Sequence, residues 1–192
     1  MKDVLELLGN QIKLNRLKEN VYYTDIGYGE KFLTLSLPIY NLNSLVNYSS
    51  LQIMKELIRR FIDINSPKGF RTRFFVYHLE NEKEFLEVYN NLNKDNILYN
   101  IDLKYAGCGY NFISFYKFLE EDIKKFLKVV DTTGLDITVK NIKKTYNPDI
   151  KTLIFLIDED DLFIEKLDKS YFSPNFINKT LNLIVNFISR VL

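Results

Sequence analysis

The sequence predicts an α+β fold in one domain over residues 1–192, and three observations carry that prediction. Apolar residues alternate with polar ones at strand period in some segments and recur at helical period in others. The segment of about 72–143 gives the order strand, helix, strand, strand, helix, strand, which is the split βαβ or ferredoxin-like unit with an antiparallel sheet. No Gly/Ser/Pro-rich linker or fixed-period repeat divides the chain, and 192 residues can bury a substantial core.

The elements follow in chain order. Met1–Leu17 places Val4, Leu5, Leu8 and Ile12 on one helical face, and Phe32–Leu37 alternates apolar residues with Thr34 and Ser36 as a half-buried strand does. Ser49 with Gln52 forms a capping-box pair ahead of a helical stripe from Leu51 to Ile62, which stops before Pro67 and Gly69. Thr72–Leu79 is a compact apolar and aromatic run, read as a central strand. Asn81 with Glu84 can cap a helix that turns Phe85, Leu86, Tyr89 and Leu92 inward. Ile97–Tyr105 alternates strictly, with Asn100, Asp102 and Lys104 on its polar face. Ala106-Gly107-Cys108-Gly109 then supplies a turn, and Tyr110–Tyr116 reads as the returning strand of a hairpin. Leu119–Val130 carries a helical stripe, Leu135–Ile142 alternates, Thr152–Ile157 is a continuous apolar strand, and Pro174–Leu192 is an amphipathic helix. The N-terminal and C-terminal strand and helix extensions should lengthen the sheet or cover one of its faces.

Composition narrows the functions open to the chain. With 26 basic and 25 acidic residues the net charge is +1, so no global field recruits a nucleic-acid duplex or an acidic membrane. A single cysteine, Cys108, cannot make an internal disulfide or a multi-cysteine metal site, and a single histidine, His78, excludes a multi-histidine one. No motif asks for a cofactor. The first residues lack the apolar core of a signal peptide. The apolar stretch Phe176–Leu192 is broken by Asn178, Lys179, Asn182, Asn186 and Arg190, so no membrane span is expected. The expected compartment is the cytoplasm. Asn, Lys, Ile, Tyr and Phe are read from A/T-rich codons, so the 15 Phe and 13 Tyr carry less weight than usual.

Three constellations are candidates for chemistry. The first is a pair of aromatic strands, Phe74-Phe75-Val76-Tyr77-His78-Leu79 and Gly109-Tyr110-Asn111-Phe112-Ile113-Ser114-Phe115. They resemble the RNP2 and RNP1 segments of the RNA recognition motif. That resemblance implies that Phe75, Tyr110 and Phe112 stack on single-stranded bases, with Arg73 on a phosphate. Cys108 and Asn111 depart from the motif, which prefers a basic and a small residue there. Continuous apolar runs of this kind are also what strands buried on both faces show, and burial is the favoured reading.

The second is Cys108 with His78, a thiol and a base that a ferredoxin-like sheet would bring together. A small residue in a Gly-rich turn needs no chemistry, and no orienting third group is evident. The third is Asp158-Glu159-Asp160-Asp161, at the end of an apolar strand. Asp158, Glu159, Asp160 and Asp161 could hold a hard cation through oxygen, but no G-x-x-x-x-G-K-[ST] loop accompanies them, and a solvated strand end is the default. No G-x-S-x-G elbow occurs, and the predicted hairpin turn lacks the carboxylate of a polymerase-type palm. Lys140, Lys143, Lys144 and Lys151 read as a solvated face.

With no catalytic constellation dominant, the leading expectation is a non-enzymatic binding or assembly module that acts through a protein partner or self-association. A single-stranded RNA or DNA binder using Phe75, Tyr110, Phe112 and Arg73 is the first alternative. An enzyme using Cys108 and His78, or the Asp158–Asp161 carboxylates, is the second.

Overall fold

The computed structural model describes residues 6, 8, 12–39, 45–63, 70–92, 94–107, 111–133, 137–139, 150–156 and 174–191. Its frame is one eight-stranded mixed sheet. The strands are β1 (Asn15–Lys18), β2 (Val21–Gly27), β3 (Lys31–Ile39), β4 (Phe70–His78), β5 (Ile97–Asp102), β6 (Asn111–Tyr116), β7 (Ile137–Val139) and β8 (Thr152–Leu156), in the order β1-β2-β4-β3-β5-β8-β6-β7. The helices are α1 (Leu45–Asp63), α2 (Glu82–Asn90), α3 (Glu120–Thr133) and α4 (Pro174–Val191).

Four neighbouring strands, β4, β3, β5 and β8, run parallel, while β2 and β6 flank them antiparallel. Parallel neighbours need long crossovers, and parallel sheets are covered on both faces. On one face Leu33, Leu35, Leu37 and Ile39 of β3, with Phe74 and Val76 of β4, join Leu57 of α1, Phe126 of α3 and Ile184 of α4 in the main core. Phe126 meets Phe115 of β6 at 4.8 Å and Phe187 of α4 at 5.2 Å between ring centroids. The other face is covered over β2 and β4 by α2, where Tyr77 stacks on Phe85 at 4.1 Å and Phe75 meets both Phe85 and Tyr89. Phe74, Phe75, Val76 and Tyr77 are therefore all fully buried, each pair of neighbours on opposite faces of one strand.

This topology overturns the ferredoxin-like, split βαβ expectation. That fold needs Thr72–Leu79 beside the returning hairpin strand. Instead β4 pairs with β2 and β3, and three strands separate it from β6. The predicted hairpin is also open: β5 and β6 run antiparallel, but β8 lies between them and pairs with both. The physical reason is that β3 is the sheet's central strand rather than an extension. Its alternation suggested one wet face, yet Thr34 and Ser36 are buried as completely as Leu33, Leu35 and Leu37 beside them. Two smaller expectations also change. Ser49 lies inside α1, beyond its first turn, and Asn81 caps α2 without a side-chain hydrogen bond.

Among the described residues no helix is long and apolar enough to cross a membrane.

Candidate functional site at the β3–β5 reversal

From β3 the chain crosses through α1 to β4 on one side; after β5 it continues to β6 on the other. Where successive connections leave in opposite directions, the carboxyl ends of parallel strands open a crevice, the usual ligand position in such sheets. The residues lining the α2-side face here are polar. Register sets Thr34 beside Asn100 and Ser36 beside Asp102, then Asn100 beside Thr152 on β8. Ser114 of β6 continues the face across Ile154. All are buried, although a sheet interior normally excludes such groups unless they are satisfied.

Part of this network is closed. The Thr34 hydroxyl donates to Asn100 Oδ1 at 2.9 Å and lies 3.3 Å from the Tyr89 hydroxyl. Burial pushes the Tyr89 phenol up from its ordinary value, the Thr34 bond opposes that rise, and the charge of Asp102 adds to it. Asp102 Oδ1 accepts the backbone N–H of Lys104 at 2.9 Å, which turns the chain as it leaves β5. Leu103 N–H donates to the Ser36 carbonyl at 2.8 Å, and Ser50 Oγ to the Ala106 carbonyl at 3.1 Å, so β3 and α1 both grip that turn. Gly107 closes it with φ +86°, and a Cβ there would stand 2.8 Å from Ile53 Cδ1. The other part is open. Ser36 Oγ and Asn100 Nδ2 are buried and find no hydrogen-bond partner among the described residues. Together these groups set one carboxylate among hydroxyl and amide donors, an arrangement that can hold a small polar group and accept a proton from it.

The residues singled out in the sequence fall elsewhere. His78 ends β4 in register with Ile39, on the α1 face by strand alternation, whereas Asp102 is in register with Ser36 on the other. Its Nδ1 is 3.6 Å from Glu80 Oε2. Phe75 is enclosed by Phe85 at 5.5 Å and Tyr89 at 6.1 Å. Arg73 is held by Asp25 through two contacts of 2.7 Å, with Tyr23 and Phe32 each 4.7 Å from its guanidinium carbon. Phe112 belongs to β6 opposite Leu156, so it does not share a strand pair with Phe75. Cys108, Tyr110, Asp158, Glu159, Asp160 and Asp161 lie outside the described residues. Lys151, read as part of a solvated face, reaches to 3.5 Å from Asp122 and over the Tyr99 ring.

Asn100, Asp102 and Ser36 were not singled out by the sequence. The signal was there in a weak form: small hydroxyl, amide and acid side chains at alternate positions of two strands whose other positions are apolar.

No protein-family model matches the chain, and no curated protein matches it by sequence. Solved structures do match in fold. A glutaminyl cyclase from an Acidobacteriales bacterium superposes with a TM-score of 0.69 at 10% identity, covering 99% of this chain and 83% of that one. A leucine aminopeptidase precursor from Bacteroides thetaiotaomicron gives 0.71 at 11% identity, covering 98% and 87%. A Zn-dependent exopeptidase from Parabacteroides distasonis gives 0.62 at 8% identity, covering 97% and 86%. These matches overturn the expectation of a non-enzymatic binding module, which rested on the want of a catalytic motif in the sequence. The described residues by themselves do not make the zinc centre that the last neighbour's description implies. Among them no three His, Cys, Asp or Glu side chains gather to hold a metal, and His78 and Asp102 sit on opposite faces of the sheet. The chain has the fold of these glutaminyl cyclase and exopeptidase structures.

Proposed function

We propose that the chain is an enzyme that acts on an amide bond of a small peptide-like substrate at the carboxyl ends of β3, β5 and β8. One observation carries the reading: Asp102 is a carboxylate only 3% exposed, at the strand reversal and in register with Ser36, whose hydroxyl has no hydrogen-bond partner among the described residues. A carboxylate in such surroundings is suited to accept a proton from an attacking or departing nitrogen or oxygen. The fold neighbours named above support the substrate class, since they are described as a glutaminyl cyclase, an aminopeptidase precursor and an exopeptidase. In the sequence Asp158–Asp161 begin two residues after β8 ends, and Cys108 stands three residues before β6 begins. Carboxylate chemistry is favoured over thiol chemistry because Asp102 already stands in the polar face. The proposed setting is the cytoplasm, where a lone cysteine stays reduced.

The test is an assay of two reactions on purified protein: hydrolysis of aminoacyl arylamides, and ammonia release from peptides that begin with glutamine. Turnover of either, lost in Asp102→Asn and retained after alkylation of Cys108, is the expected result. Activity that survives Asp102→Asn but disappears on alkylation would transfer the chemistry to the thiol.

A further inference from the structure

The amino ends of β3 and β4, opposite the crevice, carry a row of arginines and rings on the α2-side face. Arg73 lies between the Tyr23 ring of β2 and the Phe32 ring of β3, each 4.7 Å from its guanidinium carbon. With rings on both flanks, the edge of the fork is what remains for hydrogen bonding. Asp25 meets that edge through two contacts of 2.7 Å. The Arg73 side chain is only 16% exposed, and its pairing is complete. Arg71, two residues earlier on the same face, has half of this arrangement. Phe32 lies 5.3 Å from its guanidinium carbon, whereas its register neighbour on β2 is Gly27, which has no side chain. The carboxylate it meets among the described residues is Asp25, already engaged by Arg73, and at 3.5 Å the contact is longer than an ordinary N–H···O bond. The Arg71 side chain is 36% exposed, so an outside group can reach it. Tyr28 follows Gly27 and is 91% exposed, between Gly27 at φ +90° and Gly29 at φ +143°. Two glycines in conformations that L side chains rarely adopt thus make a turn that holds a tyrosine ring in water.

We infer that Arg71 and Tyr28 form a docking surface for a protein segment that presents a carboxylate beside an apolar side chain. Arg73 with Asp25 displays, one step along the same face, the end-on bond that Arg71 lacks. Two guanidiniums share one carboxylate here, and the exposed Glu30 and Lys31 cancel each other, so the cluster keeps one excess positive charge. One added carboxylate neutralises it, whereas a phosphate dianion would overshoot. Arg and Tyr are also the residue types that carry most binding energy at protein interfaces. The surface lies at the other end of the strands from Asp102 and does not depend on the enzymatic reading.

The probes are a blocked pentapeptide of alternating leucine and glutamate and its counterpart with glutamine, each titrated into the full chain and followed by amide chemical shifts. The glutamate peptide should perturb the Gly27, Tyr28 and Arg71 resonances. It should bind about fivefold more tightly than the glutamine peptide, the range of an exposed charge pair, and salt should shrink that difference. Arg71→Gln should abolish the difference at an unchanged melting temperature. Arg71→Lys should restore only part of it, because an ammonium keeps the charge without the planar fork. Tyr28→Ala, at a site that touches little, should weaken both peptides and leave stability as it is. Equal affinity for the two peptides, or a preference that survives Arg71→Gln, would overturn the inference. Undiminished binding in Tyr28→Ala, or no binding by the native chain, would do so as well. Tighter binding of a thymidine oligonucleotide would replace the carboxylate by phosphate and overturn it too.

Discussion

Thr34 on β3 donates its hydroxyl to Asn100 on β5 at 2.9 Å, and neither side chain exposes any surface. The bond crosses between the two parallel strands at the sheet's reversal. It links the covering helix α2, through Tyr89, to the polar face of the sheet.

Thr34→Val keeps the shape of the side chain and removes the hydroxyl. Asn100 Oδ1 and the Tyr89 hydroxyl then lose a buried partner. The expected loss is about 1–3 kcal/mol of unfolding free energy, read as a lower urea midpoint at constant slope. Ser36→Ala is the internal contrast, since its hydroxyl bonds to nothing described. A Thr34→Val midpoint equal to that of the native chain would mean that the network adds nothing to stability.

Tyr89 predicts an alkaline limit. Its phenol is raised above the ordinary value of 10 in the folded chain, chiefly by burial. The stability tied to its neutral form is complete below the unfolded value. It falls as pH climbs past about 10, because the unfolded chain releases that proton first. Tyr89→Phe should remove up to one proton's worth of that slope, about 1.4 kcal/mol per pH unit. Urea unfolding between pH 8 and 11 compares the two slopes. Identical slopes would show that the phenol ionises freely in the folded state.

Gly107 is held by two independent constraints. Its φ of +86° disfavours any L side chain, and an added Cβ would lie 2.8 Å from Ile53 Cδ1 and 3.2 Å from Ser49 Cβ. Gly107→Ala should cost about 1–3 kcal/mol. Adding Ile53→Val should recover only the steric share, leaving the backbone share in the double variant. Full recovery would assign the whole penalty to the collision.

Two truncations probe the opposite covers of the sheet. Ile184→Ala in α4 should cost about 2–5 kcal/mol and Phe75→Ala in β4 about 3–5 kcal/mol, since both side chains are fully buried. The two sites belong to separate apolar clusters on opposite faces, so their effects should add in the double variant within about 0.5 kcal/mol. A loss below that size for Ile184→Ala would mean that the α4 stripe does not rest on the sheet.

The elements were more legible than their arrangement. The compact apolar and aromatic run at Thr72–Leu79 and the helical stripe at Pro174–Leu192 reflect burial at the next few residues, and the structure has a strand at Phe70–His78 and a helix at Pro174–Val191. Pairing partners follow from distant segments, and nothing local in Phe70–His78 says that it will lie between β2 and β3. β2 went unread because Val21–Gly27 mixes Tyr22, Tyr23, Thr24 and Asp25 without clean alternation. The polar face was misread for a related reason. Thr34, Ser36, Asn100 and Asp102 look like the wet side of two strands, and only the β3–β5 register shows them meeting inside the molecule.

The place of β8 bears on how the chain reaches this structure. It is the latest of the eight strands in chain order, and it belongs between β5 and β6, which are eight residues apart in sequence. β5 and β6 are antiparallel, the relation that hairpin strands have, yet each pairs with β8. Such hairpins close in about 1–10 μs, whereas Asn100 must wait for Thr152, fifty-two positions later. Each exposes an unpaired edge in the interval. Completion of this sheet therefore depends on pairings of long sequence separation, the kind that form slowly.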